Sequence, residues 1–150
     1  MKLNKYIVPS CIIVGLSADD KWQAIDKLLN GLADAGAVQD RAQVREDLFA
    51  REKKMSTGME GGLALPHAKS DGAKTLAVAV GISSEGIDFD SLDGNPAHVL
   101  FLVVSRKDIS GPHIQCLAEI ARLYRDGACR RRLLRSSRPE DVIKALAECD

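Results

Sequence analysis

Apolar positions along the chain change their period several times, from unbroken runs to one residue in three or four, and each change marks a new element. Cys11, Ile12, Ile13, Val14, Gly15 and Leu16 form a short run rich in β-branched residues that predicts a buried strand over 11–16, after Pro9 and Ser10. Ser17 opens Ser-Ala-Asp-Asp, a variant of the capping box whose hydroxyl would satisfy an orphan amide. Trp22, Ile25, Leu28, Leu29 and Leu32 then recur at helical spacing, and Gly36 is placed to close that helix. Asp40 with Gln43 marks a second helix start, carrying Val44 and Leu48 inward and reaching about Glu52. The loop between these helices is short, which makes them neighbours in space.

The middle of the chain reads as strands. Residues 62–65 are apolar and stopped by Pro66, whereas 75–82 and 97–104 are apolar almost throughout. Strands of that kind are buried on both faces and call for helices on both sides of one sheet. The connection over 83–96 holds Gly86, Asp93, Gly94 and Pro96 and predicts turns with little core. Helical spacing returns with Ile114, Leu117, Ala121 and Tyr124 on one face, and a short helix follows Gly127. Pro139, Glu140 and Asp141 suit the first turn of a last helix. The expectation is one domain over 1–150, a three-layer α/β/α sandwich with a mixed central sheet of four to five strands flanked by helices.

Composition narrows the class. Hydrophobic residues make up 45% and charged residues 28%, a globular balance. Lys and Arg total 21, as do Asp and Glu, so bulk charge gives no basic face for nucleic acid. No apolar run approaches the roughly 20 residues of a membrane span. Residues 1–16 lack a small-residue cleavage site, so no signal peptide is predicted. Cys11, Cys116, Cys129 and Cys149 show no close pairing and read as free thiols of a cytoplasmic chain.

The least ordinary stretch is Arg51-Glu-Lys-Lys-Met-Ser-Thr-Gly-Met-Glu-Gly-Gly-Leu-Ala-Leu-Pro-His-Ala-Lys69. Its glycines imply a backbone folded too tightly for side chains. Pro66 ends a strand, so His67 stands at a sheet edge on a rigid support. An imidazole with an ordinary pKa of about 6.5 offers a free ring nitrogen at neutral pH. It could attack a phosphoryl group, bind a metal or move a proton; equally, it could be a polar edge residue with a satisfied hydrogen bond.

Arg51-Glu52, Ser56-Thr57-Gly58, the run Gly61-Gly62-Leu63-Ala64-Leu65-Pro66-His67, and Lys69 together resemble the signature of a known family. It is the enzyme IIA domains of the bacterial phosphoenolpyruvate-dependent phosphotransferase system, fructose–mannitol type, with the related nitrogen-regulatory IIA proteins. His113 with Leu117-Ala118 supplies a second match, and the resemblance covers nearly the whole chain. It implies that His67 accepts a phosphoryl group from the phosphocarrier protein HPr and passes it to a IIB domain of a sugar permease, or serves as a regulatory signal. It also implies Arg51 and His113 as partners in the site, no cofactor, no nucleic acid, and contact with the membrane only through the permease.

The chemistry agrees with that assignment. Phosphoryl transfer asks for alignment and charge stabilisation of the equatorial oxygens, which an arginine fork supplies. His113, beside Pro112, falls in the first turn of a helix, where exposed amides favour an anion. Thr57 either donates to a phosphate oxygen or caps the turn. Glu60 stands where relatives often carry a small polar residue and would lie close to the dianion, and Ala68 replaces a common glycine or threonine. Met55, Met59, Leu63, Glu60, Asp71 and Asp88 are candidates for the surface on which donor and acceptor dock in turn.

Other constellations are weaker. His113 and Cys116 are too few for a closed metal site, so no metal is predicted. His98 reads as a strand-end residue, and the Arg130-Arg131-Arg132 cluster as a solvated helix face. Neither a P-loop, a dinucleotide fingerprint nor a G-x-S-x-G elbow is present. Two alternatives to sugar uptake stand: a nitrogen-regulatory protein whose phosphorylation state controls a partner, and a non-catalytic binding module of the same fold.

Overall fold

The computed structural model describes residues 1–149. A five-stranded sheet forms the middle layer, in the order β1-β4-β5-β2, with β3 also paired to β5. At its centre β4 (Ala77–Ile87) and β5 (Ala97–Ser105) run antiparallel. β1 (Ile7–Val14) lies parallel to β4, and the short β2 (Leu63–Ala64) and β3 (His67–Lys69) lie parallel to β5 in succession along its free edge. The helices α1 (Lys21–Asp34) and α2 (Arg41–Lys54) pack on one face. On the other lie α3 (Gly111–Arg125), α4 (Gly127–Leu134) and α5 (Pro139–Cys149). This is the predicted three-layer sandwich with a mixed sheet.

Side-chain alternation along β4 builds two cores of different depth. Val78, Val80 and Ile82 fill the core beneath α3–α5, while Ala77 and Ala79 face α1 and α2. The small residues let α1 approach the sheet closely. At Gly81 a Cβ would stand 2.5 Å from a Leu16 methyl group and 3.4 Å from one of Leu28.

Four expectations are corrected by tertiary context. β1 begins at Ile7 and passes through Pro9, which an edge strand tolerates, and its register against β4 shifts between Ile7 and Ile12. The cap of α1 is Asp20, accepting from the Gln23 amide at 2.8 Å, and not Ser17. β4 continues to Ile87, and the connection that was expected to carry little core holds Phe89, which is fully buried. On α3 the inward stripe is His113, Cys116, Ile120, Leu123 and Tyr124, whereas Ile114 is 66% exposed. A histidine counted as polar thus begins the buried face, and Ile114 turns outward. Asp40 caps Gln43 as predicted, and α2 runs two residues beyond Glu52. Cys11, Cys116, Cys129 and Cys149 are free thiols. Among the described residues no helix is long and apolar enough to cross a membrane.

Candidate active site

Pro66 has no amide to give the sheet, and the edge it interrupts places His67 as the first residue of β3. The Pro66 carbonyl still accepts from the Val103 amide at 3.0 Å, so the residue before His67 is tied to β5. His67 pairs with Val103 and Lys69 with Ser105. Alternation sends His67 and Lys69 to the α3 side and buries Ala68 toward α2. His67 ends half-buried at the sheet rim, and its ring lines an open cavity of about 480 Å³.

Two helices close that cavity. From α2 come Asp47, Arg51 and Lys54, one helical face at spacings of four and three. From α3 come His113, Ile114 and Leu117. The His67 and His113 rings stand 5.8 Å apart between centroids, tilted by 59°. Arg51 uses one guanidinium nitrogen to donate to the Met55 carbonyl at 2.8 Å, which fixes the fork at the C-terminus of α2. Lys69 donates to the Ser110 hydroxyl at 2.6 Å and so joins β3 to the start of α3.

Both imidazoles are held neutral. Burial lowers the pKa of His67, and the Arg51 charge lowers it further, against opposing effects of the Leu65 carbonyl and Glu52. His113 is pushed down to about 4, first by burial and then by His67 and Lys69. The tautomer of His67 follows from its partner. Its Nδ1 lies 2.7 Å from the Leu65 carbonyl, which can only accept. Nδ1 therefore carries the proton, and Nε2 keeps the lone pair. The His113 Nδ1 lies 2.7 Å from the fully buried Ser105 hydroxyl. The site thus offers one nucleophilic nitrogen beside an arginine and a lysine, in a half-sheltered hollow.

The remaining candidates fall elsewhere. The Thr57 hydroxyl donates to Glu52 at 2.5 Å and its amide to the same carboxylate at 2.8 Å, so Thr57 is a buried turn residue that does not line the cavity. Glu60 is likewise absent from it. With Met59, Leu63 and Leu92 it lines a separate hollow against Tyr124 and Arg125. Leu63 is buried, whereas Met55 is 65% exposed beside Arg51. Asp71 pairs with Lys107 at 3.5 Å, and Asp88 accepts from the Asp90 amide at 3.0 Å. The charged groups that do line the cavity are mainly basic, with Arg51, Lys54 and Lys69 against Asp47. His98 bonds the Ser83 carbonyl from a strand end, and Arg132 pairs with Glu148. Burial pushes the Cys116 thiol up to about 12, which keeps it protonated in the core.

Two residues outside the predicted set, Glu52 and Lys21, support the site from the core. Glu52 is buried, 3.3 Å from Lys21, and holds the turn that follows Arg51. Its signal was present: Val44, Leu48 and Glu52 share one inward stripe, so an acid there needs a buried partner.

Fold and cavity together define an α/β protein with two neutral imidazoles close together at a sheet edge, in a cavity whose charged lining is mainly basic. A family model described as "Phosphoenolpyruvate-dependent sugar phosphotransferase system, EIIA 2" matches residues 5–149. The chain belongs to that family, whose members are phosphoryl-transfer components. It is 37% identical over 128 residues to the fructose-specific EIIA component of Haloferax volcanii, covering 85% of this chain and 83% of that one. It is 30% identical over 150 residues to the fructose-specific EIIABC component of Bacillus subtilis, covering 100% of this chain but only 24% of that larger protein. The crystal structure of the nitrogen regulatory protein IIA-Ntr from Neisseria meningitidis superposes with a TM-score of 0.88 at 28% identity, over 96% of this chain and 98% of that one. The Escherichia coli mannitol IIA, solved in complex with phosphorylated mannitol IIB, shares the fold with a TM-score of 0.80 at 22% identity, over 93% and 95% of the two chains.

Proposed function

We propose that the protein is a phosphoryl carrier of the phosphotransferase system, with His67 as the group that is phosphorylated. The observation that carries this reading is the bond from Nδ1 of His67 to the Leu65 carbonyl, which leaves Nε2 unprotonated and facing an open cavity lined by cations. Nε2 attacks the phosphorus of phosphorylated HPr, and the bond from phosphorus to the donor nitrogen breaks as the new one forms. Arg51 and Lys69 balance charge on the equatorial oxygens, and the first turn of α3 adds amide dipoles. The half-open cavity lets a second protein take the group away. That acceptor is the IIB domain of a fructose- or mannitol-type permease, and the work is done in the cytoplasm.

A nitrogen-regulatory role is the second reading, favoured by the structural likeness to IIA-Ntr. Both readings need the same loading step and differ in the acceptor. With phosphoenolpyruvate, enzyme I and HPr, the wild-type protein is expected to take up acid-labile phosphate and His67→Gln none. Normal labelling of His67→Gln would end the proposal. Fast passage to sugar IIB domains would select transport, and its absence from a loaded protein would select regulation.

A further inference from the structure

We propose that Ser105 is a positioning residue that fixes His113 in the tautomer protonated on Nε2, so that the second imidazole is a hydrogen-bond donor to the group carried by His67. The inference rests on the phosphoryl-carrier reading for its purpose, but its structural half stands alone.

Ser105 is the last residue of β5 and is fully buried. Its backbone carbonyl accepts from the Ser70 amide at 2.8 Å, and its register partner is Lys69, so its place beside the site is set by the sheet. Among the described residues its hydroxyl has one hydrogen-bond partner, Nδ1 of His113, at 2.7 Å. A hydroxyl hydrogen needs an acceptor, and a neutral imidazole has one acceptor nitrogen. If Nδ1 bore the proton it would donate to the serine oxygen, and the serine hydrogen would be left buried with nothing to meet. If Nδ1 is bare, the serine donates to it and no group is orphaned. His113 is held neutral by its surroundings, so a ring protonated on both nitrogens does not compete at neutral pH.

The consequence is a complementary pair. The Leu65 carbonyl puts the proton of His67 on Nδ1 and leaves Nε2 bare; the Ser105 hydroxyl does the reverse to His113. Across 5.8 Å between ring centroids, one imidazole presents a lone pair and the other an N–H. The N–H requires no added charge, so it stabilises a phosphoryl oxygen without adding a further cation to Arg51 and Lys69. With Nδ1 protonated instead, His113 would turn a lone pair toward those anionic oxygens and repel them.

The test separates the two halves. Long-range proton–nitrogen NMR correlations of the wild-type protein, with no phosphate donor, report which ring nitrogen of His113 is protonated. The expected result is Nε2–H for His113 and Nδ1–H for His67; Nδ1–H for His113 overturns the proposal, whatever the protein carries. Ser105→Ala should then shift His113 toward the other tautomer and slow uptake of phosphate from HPr about tenfold, while Ser105→Thr, which keeps the hydroxyl, restores both. Unchanged tautomer and rate in a folded Ser105→Ala also overturn it. Should wild type give the expected tautomers yet take up no phosphate, the carrier reading fails and the assignment of Ser105 to His113 survives.

Discussion

A neutral imidazole is nucleophilic only at the nitrogen without a proton, so the partner of the other nitrogen decides what the residue can do. His67 meets a carbonyl, which can only accept and so settles which of its nitrogens holds the proton. The same neutrality leaves a mark on stability at His113. Its pKa of about 4 in the folded protein lies below the ordinary value near 6.5 of an unfolded chain. Above pH 6.5 both states are neutral and the difference has no effect. As pH falls from 6.5 to 4, the unfolded chain takes up a proton that the folded chain refuses, so stability is lost across that window. Denaturant unfolding at pH 7 and pH 4 should show a His113 contribution of about 3 kcal/mol to that loss. It is read as the part of the decline missing from His113→Gln. An equal decline in wild type and variant would mean that the folded ring takes up its proton as readily as the unfolded chain does.

At the scale of elements, the site depends on how α2 ends. Arg51 faces the cavity, and the next residue, Glu52, faces the core and holds Lys21 and both polar groups of Thr57. That buried carboxylate keeps the turn after α2 in place, and with it the Met55 carbonyl that fixes Arg51. Removing one partner leaves the other charge buried, so Glu52→Ala should lose about 3 kcal/mol in urea unfolding. Glu52→Gln, which still accepts from the Thr57 amide, should lose less. A loss below about 1 kcal/mol for the alanine variant would show the turn held by other contacts, among them the Ser56 hydroxyl donating to the Phe89 carbonyl.

Much of this level was legible in the sequence. The Asp40 cap, the doubly buried strands β4 and β5, and the stop at Pro66 all follow from local chemistry. The inward face of α3 was misread because His113 looks polar until its partner Ser105 is known, and Ser105 lies on another strand. The burial of Phe89 was hidden in the same way. Its connection is turn-like in composition, and only its place in the core beneath α1 and α2 buries it. Thr57 had two open readings, and Glu52 decides between them.

For the molecule as a whole, the cavity lies where α2 and α3 flank the edge strand β3, and the carrier role proposed above has partners dock around it. Ile114 and Met55 are apolar and exposed at or beside its rim, and Arg51, Lys54 and Lys69 also line it or adjoin it. Ile114 is 66% exposed and belongs to neither core cluster, so Ile114→Ser should leave unfolding within about 0.5 kcal/mol of wild type. It should raise the concentration of phosphorylated HPr needed for half-maximal loading several-fold while sparing the maximal rate. Unaltered loading kinetics would place the docking surface elsewhere on the molecule. The hollow lined by Met59, Glu60 and Leu92 is the obvious other place to look.

The most direct measurement is the position of the phosphate itself. Nitrogen-15-labelled protein is loaded through enzyme I and HPr, and phosphorus–nitrogen coupling identifies the ring nitrogen that carries the group. One phosphoryl group on Nε2 of His67, lost in acid, is the predicted result. Phosphate on Nδ1 of His67, on His113, or on neither imidazole would contradict the account.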